Sequence, residues 1–160
     1  MNRVYILLGA NLGDPKAQLA RAVEEIGAHI APIVAQSSLV QSAAWGHTDQ
    51  PDFINQVIEL HTNLKAIDIL DQMQAIEDKL GRVRLEKWGA RVIDIDMLYF
   101  NDEMLDTKRL QIPHPYLHER RFTLAPLAEI APDFIHPILG LSSTALLQNC
   151  SDKLPVTFIK

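Results

Sequence analysis

A chain of 160 residues, 48% hydrophobic and 22% charged, has the size and composition of one globular domain around a single core. No apolar run approaches the ~18 residues that span a membrane, and Met1–Leu12 lacks the basic, apolar and small-residue succession of a secretion signal, so a cytoplasmic protein is expected. A formal net charge of −5 argues against a general nucleic-acid binder, and a single cysteine, Cys150, rules out an internal disulfide.

Val4 to Gly9 is short and apolar, and is predicted as a buried first strand. Asn11-Leu12-Gly13-Asp14-Pro15 follows as a turn, with Asp14 as N-cap and Pro15 at the first helical position. Leu19, Val23, Ile26 and Ile30 fall at helical spacing, so Pro15 to about His29 is an amphipathic helix. Gly9 and Gly13 are assigned to tight turning. Ile33 to Gln41 is expected to be the second strand, Ser42 to Asp52 a polar loop holding Trp45, and Phe53 to Thr62 the third strand.

A second helix is predicted over about Ala66 to Leu80, with Ile67, Leu70, Gln74, Glu77 and Leu80 along related faces and Gly81 as its stop. An arginine-bearing loop leads into an apolar strand, Val92 to Phe100, and Asn101-Asp102-Glu103 makes a hairpin turn. Arg109 to Pro115 then enters short helical pieces near Tyr116–Arg120 and Thr123–Ile130, and Leu141 to Gln148 is a candidate last helix. With no repeats or linkers, residues 1–160 read as one domain. The order strand–helix–strand–strand–helix–strand is that of the split βαβ unit: an α+β, ferredoxin-like sandwich in which an antiparallel sheet is flanked by helices.

The chemistry concentrates in Lys87-Trp-Gly-Ala-Arg-Val-Ile-Asp-Ile-Asp-Met-Leu98. Asp94 and Asp96 interrupt the buried strand, and residues two apart on a strand share one face, roughly 7 Å apart. Two aligned carboxylates there need a cation, and hard oxygen donors favour Mg²⁺. The alternative is a pair of strand-end aspartates capped by nearby arginines. Upstream lie Lys79, Arg82, Arg84, Lys87 and Arg91, a local positive charge on an acidic protein that fits a compact polyanion such as a nucleoside triphosphate. Guanidinium groups match phosphate oxygens with forked donors. Neither a P-loop nor a dinucleotide-binding glycine fingerprint is present, so side-chain cations and a metal must hold the phosphates. Gln74 and Glu77, three apart on a helix, share a face.

The Lys87–Leu98 segment resembles the signature of the 6-hydroxymethyl-7,8-dihydropterin pyrophosphokinase family of the folate pathway. The likeness runs from Gly9-Ala10-Asn11-Leu12-Gly13 to about Pro132. It takes in Asp49-Gln50-Pro51-Asp52-Phe53-Ile54-Asn55, Gln74-x-Ile76-Glu77, Gly81-Arg82-Val83-Arg84 and Arg109-Leu110-x-Ile112-Pro113-His114. The resemblance implies transfer of a diphosphate from ATP to 6-hydroxymethyl-7,8-dihydropterin, with two Mg²⁺ ions held by Asp94 and Asp96. Arg82 and Arg91 are then catalytic contacts to the phosphates, and the loop carrying Arg84 closes over the site. Gln74, Glu77, Arg109, His114 and Arg120 become further ATP contacts. Phe53, Asn55 and Phe122 supply aromatic faces and an amide for a flat pterin, with Ser42, Ala43, Trp45 and Trp88 lining or sealing its pocket. A monomer without nucleic-acid or membrane partners is expected. Two other readings stay open from the residues: a non-catalytic ferredoxin-like nucleotide-binding module, and a metal-dependent phosphohydrolase using Asp-x-Asp.

Overall fold

The computed structural model describes residues 1–43, 51–81 and 92–159 of the chain. Their elements in chain order are β1 (Asn2–Ala10), α1 (Pro15–His29), β2 (Ile33–Gln36), β3 (Leu39–Ser42), β4 (Phe53–Thr62), α2 (Ala66–Lys79), β5 (Asp94–Phe100), β6 (Leu105–Asp106) and β7 (Gln111–Ile112). A 3-10 turn (Leu117–Glu119), α3 (Arg121–Ile130), α4 (Ser143–Gln148) and β8 (Val156–Ile159) complete them. A six-stranded sheet runs β5-β1-β4-β3-β8, with β2 also paired to β4, and each of its pairings is antiparallel. This is the predicted α+β arrangement of an antiparallel sheet flanked by helices.

The strands carry apolar residues on both faces because both faces are covered. Val4, Ile6, Leu8 and Ala10 of β1 join Leu19, Ala22 and Ile26 of α1 and Ile69, Met73 and Ile76 of α2 in one cluster. Tyr5 and Leu7, pointing the other way, pack with Leu124 and Leu127 of α3 and Leu146 of α4. Helix α1 begins as expected. Gly13 sits at φ 65°, a conformation that side-chain-bearing residues resist; the Asp14 side chain accepts the Ala17 N–H at 3.2 Å, and Pro15 opens the helix.

Several expectations change. The single strand over Ile33–Gln41 is two, because Ser37 turns inward: its N–H donates to the Val57 carbonyl and its Oγ accepts the Val57 N–H. The buried stripe of α2 is Ala66, Ile69, Met73 and Ile76, whereas Ile67 and Gln74 face solvent. Ile69, Met73, Ile76 and Leu80 form the stronger apolar row, so burial follows them. Gly9 lies inside β1 and makes no turn. Asn101, at φ 52°, does turn the chain, but the strand beyond it pairs with β7 and not with β5. The outer edge of β5 is already engaged: the Ile95 N–H donates to Glu77 Oε2 at 2.8 Å and the Leu98 carbonyl accepts the His114 N–H at 3.0 Å. Strand β8 was not foreseen at all.

Candidate active site

The register places the site. Gly9 of β1 lies between Asn55 of β4 and Asp94 of β5, and Leu7 lies between Val57 and Asp96. Directly paired residues in an antiparallel sheet project to the same side. Since Leu7 and Val57 belong to the α3-side cluster, Asn55, Asp94 and Asp96 face α3 as well. Phe53, two residues before Asn55, joins them, and Ser42 is paired with Phe53. One face thus carries Ser42, Phe53 and Asn55 on one flank and two half-buried carboxylates on the other.

Gly9 is the floor between those flanks. A Cβ built on it would collide with Asn55 Nδ2. The absent side chain lets the Asn55 amide swing across β1, where Nδ2 donates to the Leu8 carbonyl at 3.3 Å. A glycine inside an apolar strand commonly marks such a close approach; this was the one sequence signal for its role. Asn55 Oδ1 and Ser42 Oγ are buried and have no hydrogen-bond partner among the described residues. Leaving such an acceptor unsatisfied costs about 1–3 kcal/mol, so a polar ligand edge is the natural complement.

The opposite wall comes from the segment before α3. The Arg120 guanidinium lies 5.0 Å from the Tyr116 ring centroid and 5.6 Å from that of Phe122, within cation–π range. Burial pulls its pKa down while the carboxylates of Asp96 and Asp94 push it back up, so a cation stands beside both aspartates. Tyr116 received no role from sequence reasoning, because nothing local shows that its ring meets Arg120.

His114 Nδ1 accepts the Tyr116 N–H at 3.1 Å, so the ring proton resides on Nε2. Burial, reinforced by Arg120 and opposed by Asp94, pushes its pKa down to about 4. His114 is therefore a neutral N–H donor near pH 7. His136 behaves likewise: its Nδ1 accepts the Ile138 and Leu139 N–H groups at 3.2 and 3.1 Å, and burial with help from His118 lowers its pKa to about 4. An unfolded histidine titrates near ~6.5, so below that pH the unfolded chain binds protons that the folded chain refuses. The stability these two residues contribute is whole above that pH and is lost as pH falls toward about 4. Thermal melts should show a falling Tm across this interval and a shallower slope in His136→Gln; an unchanged slope in that variant would exclude His136 as a source.

Glu77 is buried, and its carboxylate grips the Ile95 N–H, the link between Asp94 and Asp96. This contact ties α2 to the aspartate strand, and although Glu77 and Gln74 lie three apart, Glu77 is buried while Gln74 is exposed. Gln74 instead meets Arg109, whose Nη2 donates to Gln74 Oε1 at 3.1 Å and to Asp71 Oδ1 at 2.7 Å, all at the exposed side of α2. Ala43 is exposed just past the end of β3. Trp45, Arg82, Arg84, Trp88 and Arg91 lie outside the described residues.

The donor set suits Mg²⁺. That ion is commonly held by one or two carboxylates together with substrate phosphates, which Asp94 and Asp96 can provide from one strand face. No cluster of three or more His, Cys, Asp or Glu residues exists among the described residues to form an all-protein cage. Among those residues, no helix is long and apolar enough to cross a membrane.

Comparison with known proteins identifies the family. The family model for 7,8-dihydro-6-hydroxymethylpterin-pyrophosphokinase (HPPK) matches residues 5–132. The chain is 44% identical over 138 residues to the 2-amino-4-hydroxy-6-hydroxymethyldihydropteridine pyrophosphokinase of Pseudomonas aeruginosa, covering 86% of this chain and 85% of the relative. It is 43% identical over 130 residues to the protein of that name from Bacillus subtilis, covering 81% and 78%. A solved structure of Plasmodium falciparum HPPK-DHPS, wild type with pterin and p-hydroxybenzoate, superposes with a TM-score of 0.75 at 15% identity. That match covers 92% of this chain but only 41% of the longer Plasmodium chain, and it speaks for the fold.

Proposed function

The chain belongs to the 7,8-dihydro-6-hydroxymethylpterin-pyrophosphokinase family, and from that membership we propose how its own residues carry out the family reaction. Its activity is that of a pyrophosphokinase in folate biosynthesis with ATP as co-substrate. The hydroxymethyl oxygen of 6-hydroxymethyl-7,8-dihydropterin attacks the β-phosphorus of ATP. The bond from that phosphorus to the oxygen bridging the α-phosphate breaks, and AMP leaves.

The observation that carries the residue assignment is the row Asn55–Gly9–Asp94 across three adjacent strands. It sets a carboxylate and an amide, whose oxygen has no hydrogen-bond partner among the described residues, on one face, separated by a residue without a side chain. Asn55 hydrogen-bonds the pterin edge, and Phe53 and Phe122 stack on its ring faces. Ser42, with Ala43 just past β3, adjoins the ring, and the family resemblance gives Trp45 and Trp88 pterin contacts as well. Asp94 and Asp96 would hold two Mg²⁺ ions, which would neutralise the phosphates and orient the attacking oxygen. Arg120, fixed between Tyr116 and Phe122, sits where charge gathers on the transferred group, and Arg82, Arg84 and Arg91 add further cations. His114, neutral with its proton on Nε2, donates to a phosphate oxygen without adding charge. Arg109 and Gln74 serve the nucleotide side, and Glu77 acts by holding β5. The enzyme works as a cytoplasmic monomer.

The test is a chromatographic assay of the protein with ATP, Mg²⁺ and 6-hydroxymethyl-7,8-dihydropterin. AMP and the pterin diphosphate should appear together in equal amounts, and only when the pterin is present. ADP or inorganic phosphate as the product would favour a hydrolase, and binding without turnover would favour a nucleotide-binding module.

A further inference from the structure

Helix α3 begins at Arg121, and the residue at its N-cap position, Arg120, is extended (φ −123°, ψ 113°) and offers no side-chain cap. A helix start leaves N–H donors unpaired and concentrates partial positive charge, and here a cationic residue makes that start worse. The compensation arrives from far along the chain. Asp152 Oδ2 accepts the Arg121 N–H at 3.0 Å across 31 residues, and the Asp152 carbonyl accepts Arg121 Nε at 3.0 Å. The second carboxylate oxygen, Oδ1, accepts the Leu154 N–H at 3.0 Å, locking Asp152 to its own segment. Arg121 is thereby held by backbone and side chain at once. Its immediate neighbours are Arg120 and Phe122.

The same segment continues into β8, which pairs with β3 so that Val156 stands opposite Ser42 and Thr157 opposite Gln41. Ser42 in turn is paired with Phe53. Residues 152–159 therefore brace both walls of the pterin side: the α3 start that carries Arg120 and Phe122, and the strand that carries Ser42. None of these residues falls within 5–132, the stretch matched by the family model.

We propose that Asp152 is a positioning residue for diphosphoryl transfer, a remote cap that sets Arg120 and Phe122 through Arg121, and that β8 is the strap that delivers it. The proposal rests on the pyrophosphokinase reading of the site. A carboxylate placed at a helix start by another part of the chain fixes the first turn in both translation and rotation. Freed from it, Arg121 can shift, and the flanking guanidinium and ring lose their alignment with Asp94 and Asp96.

The experiment compares wild type, Asp152→Ala and Asp152→Asn in three readouts: steady-state constants for the pterin and for ATP, pterin affinity by fluorescence titration without ATP, and hydrogen exchange of the Arg121 and Phe122 amides. Asp152→Ala should raise the pterin KM and lower kcat, reducing kcat/KM about tenfold, the scale set by one lost charged cap. Asp152→Asn, which keeps an acceptor without the charge, should recover part of this loss. Exchange at Arg121 should accelerate in both variants, most in the alanine form. A folded Asp152→Ala with pterin KM and kcat within twofold of wild type would overturn the proposal, since it would leave the tail a purely structural element. Should the alanine variant not fold, Asp152→Asn carries the same test, and wild-type kinetics there would overturn it equally. Wild-type AMP formation checks the site reading separately, and Arg121 exchange checks the clamp even if that reading fails.

Discussion

Asp96→Ala should lower kcat/KM by at least about a thousandfold while the protein remains folded, because the proposed Mg²⁺ ligation by this carboxylate would provide several kcal/mol of charge stabilisation and each ~1.4 kcal/mol is tenfold in rate. The register sets Asp96 opposite Leu7, on the face that carries Asp94 and Asn55. It is half-buried and not part of either apolar cluster, so its removal leaves no large cavity. The loss should fall chiefly on kcat. With one ligand gone, the phosphates are less neutralised in the transition state than ground-state binding requires. AMP release measured over a Mg²⁺ titration, beside a thermal melt, checks this. Near-wild-type turnover would remove Asp96 from the metal site, and an unfolded variant would make it a structural residue paired with neighbouring cations.

Gly9→Ala should be the next most damaging, although it adds a single methyl group. The new Cβ falls on the Asn55 amide, which is wedged between Gly9 and the Leu8 carbonyl. Backbone lies on one side and a packed strand on the other, so the amide must rotate away. Overpacking of this kind costs about 1–3 kcal/mol of stability. The functional loss should be larger, about a hundredfold in kcat/KM for the pterin, because a displaced amide leaves polar groups of a bound ring unmatched. The KM for ATP should move little. Pterin titration of Gly9→Ala beside Asn55→Ala tests the mechanism: the two should lose similar affinity, and the double variant should lose little more than either. Additive losses would mean that Gly9 acts independently of Asn55.

Much of the fold was legible because its signals are local. The Asp14-Pro15 start and the end of α1 at His29 follow from capping chemistry and apolar spacing within that segment. The limits of β4, Phe53 to Thr62, follow from the Pro51-Asp52 turn before it and from Phe53, Ile54, Val57, Ile58, Leu60 and Thr62 within it, which outweigh the polar residues between them. The α2 face was misread by one position because Leu70 and Ile67 are apolar too. Only the sheet beneath decides which row it covers, and β5 and β1 select Ile69, Met73 and Ile76. Strand β8 was missed since Val156–Ile159 is four residues long, half-exposed, and gains its conformation from pairing with β3.

The candidate site divides along the same line. The sequence by itself determined the residue types and their periodicity: two carboxylates on one strand face, an aromatic and an amide two apart, and cations upstream. Those follow from strand alternation, which needs no knowledge of neighbours. Only the tertiary structure decided that Gly9 serves as clearance and not as a turn, and that Glu77 holds the strand between the aspartates. It alone brought Tyr116 to Arg120 and Asp152 to the start of α3. Each of these is a contact between segments far apart in the chain. Its energy depends on which strands pair and in what register, and no local pattern of side chains encodes that.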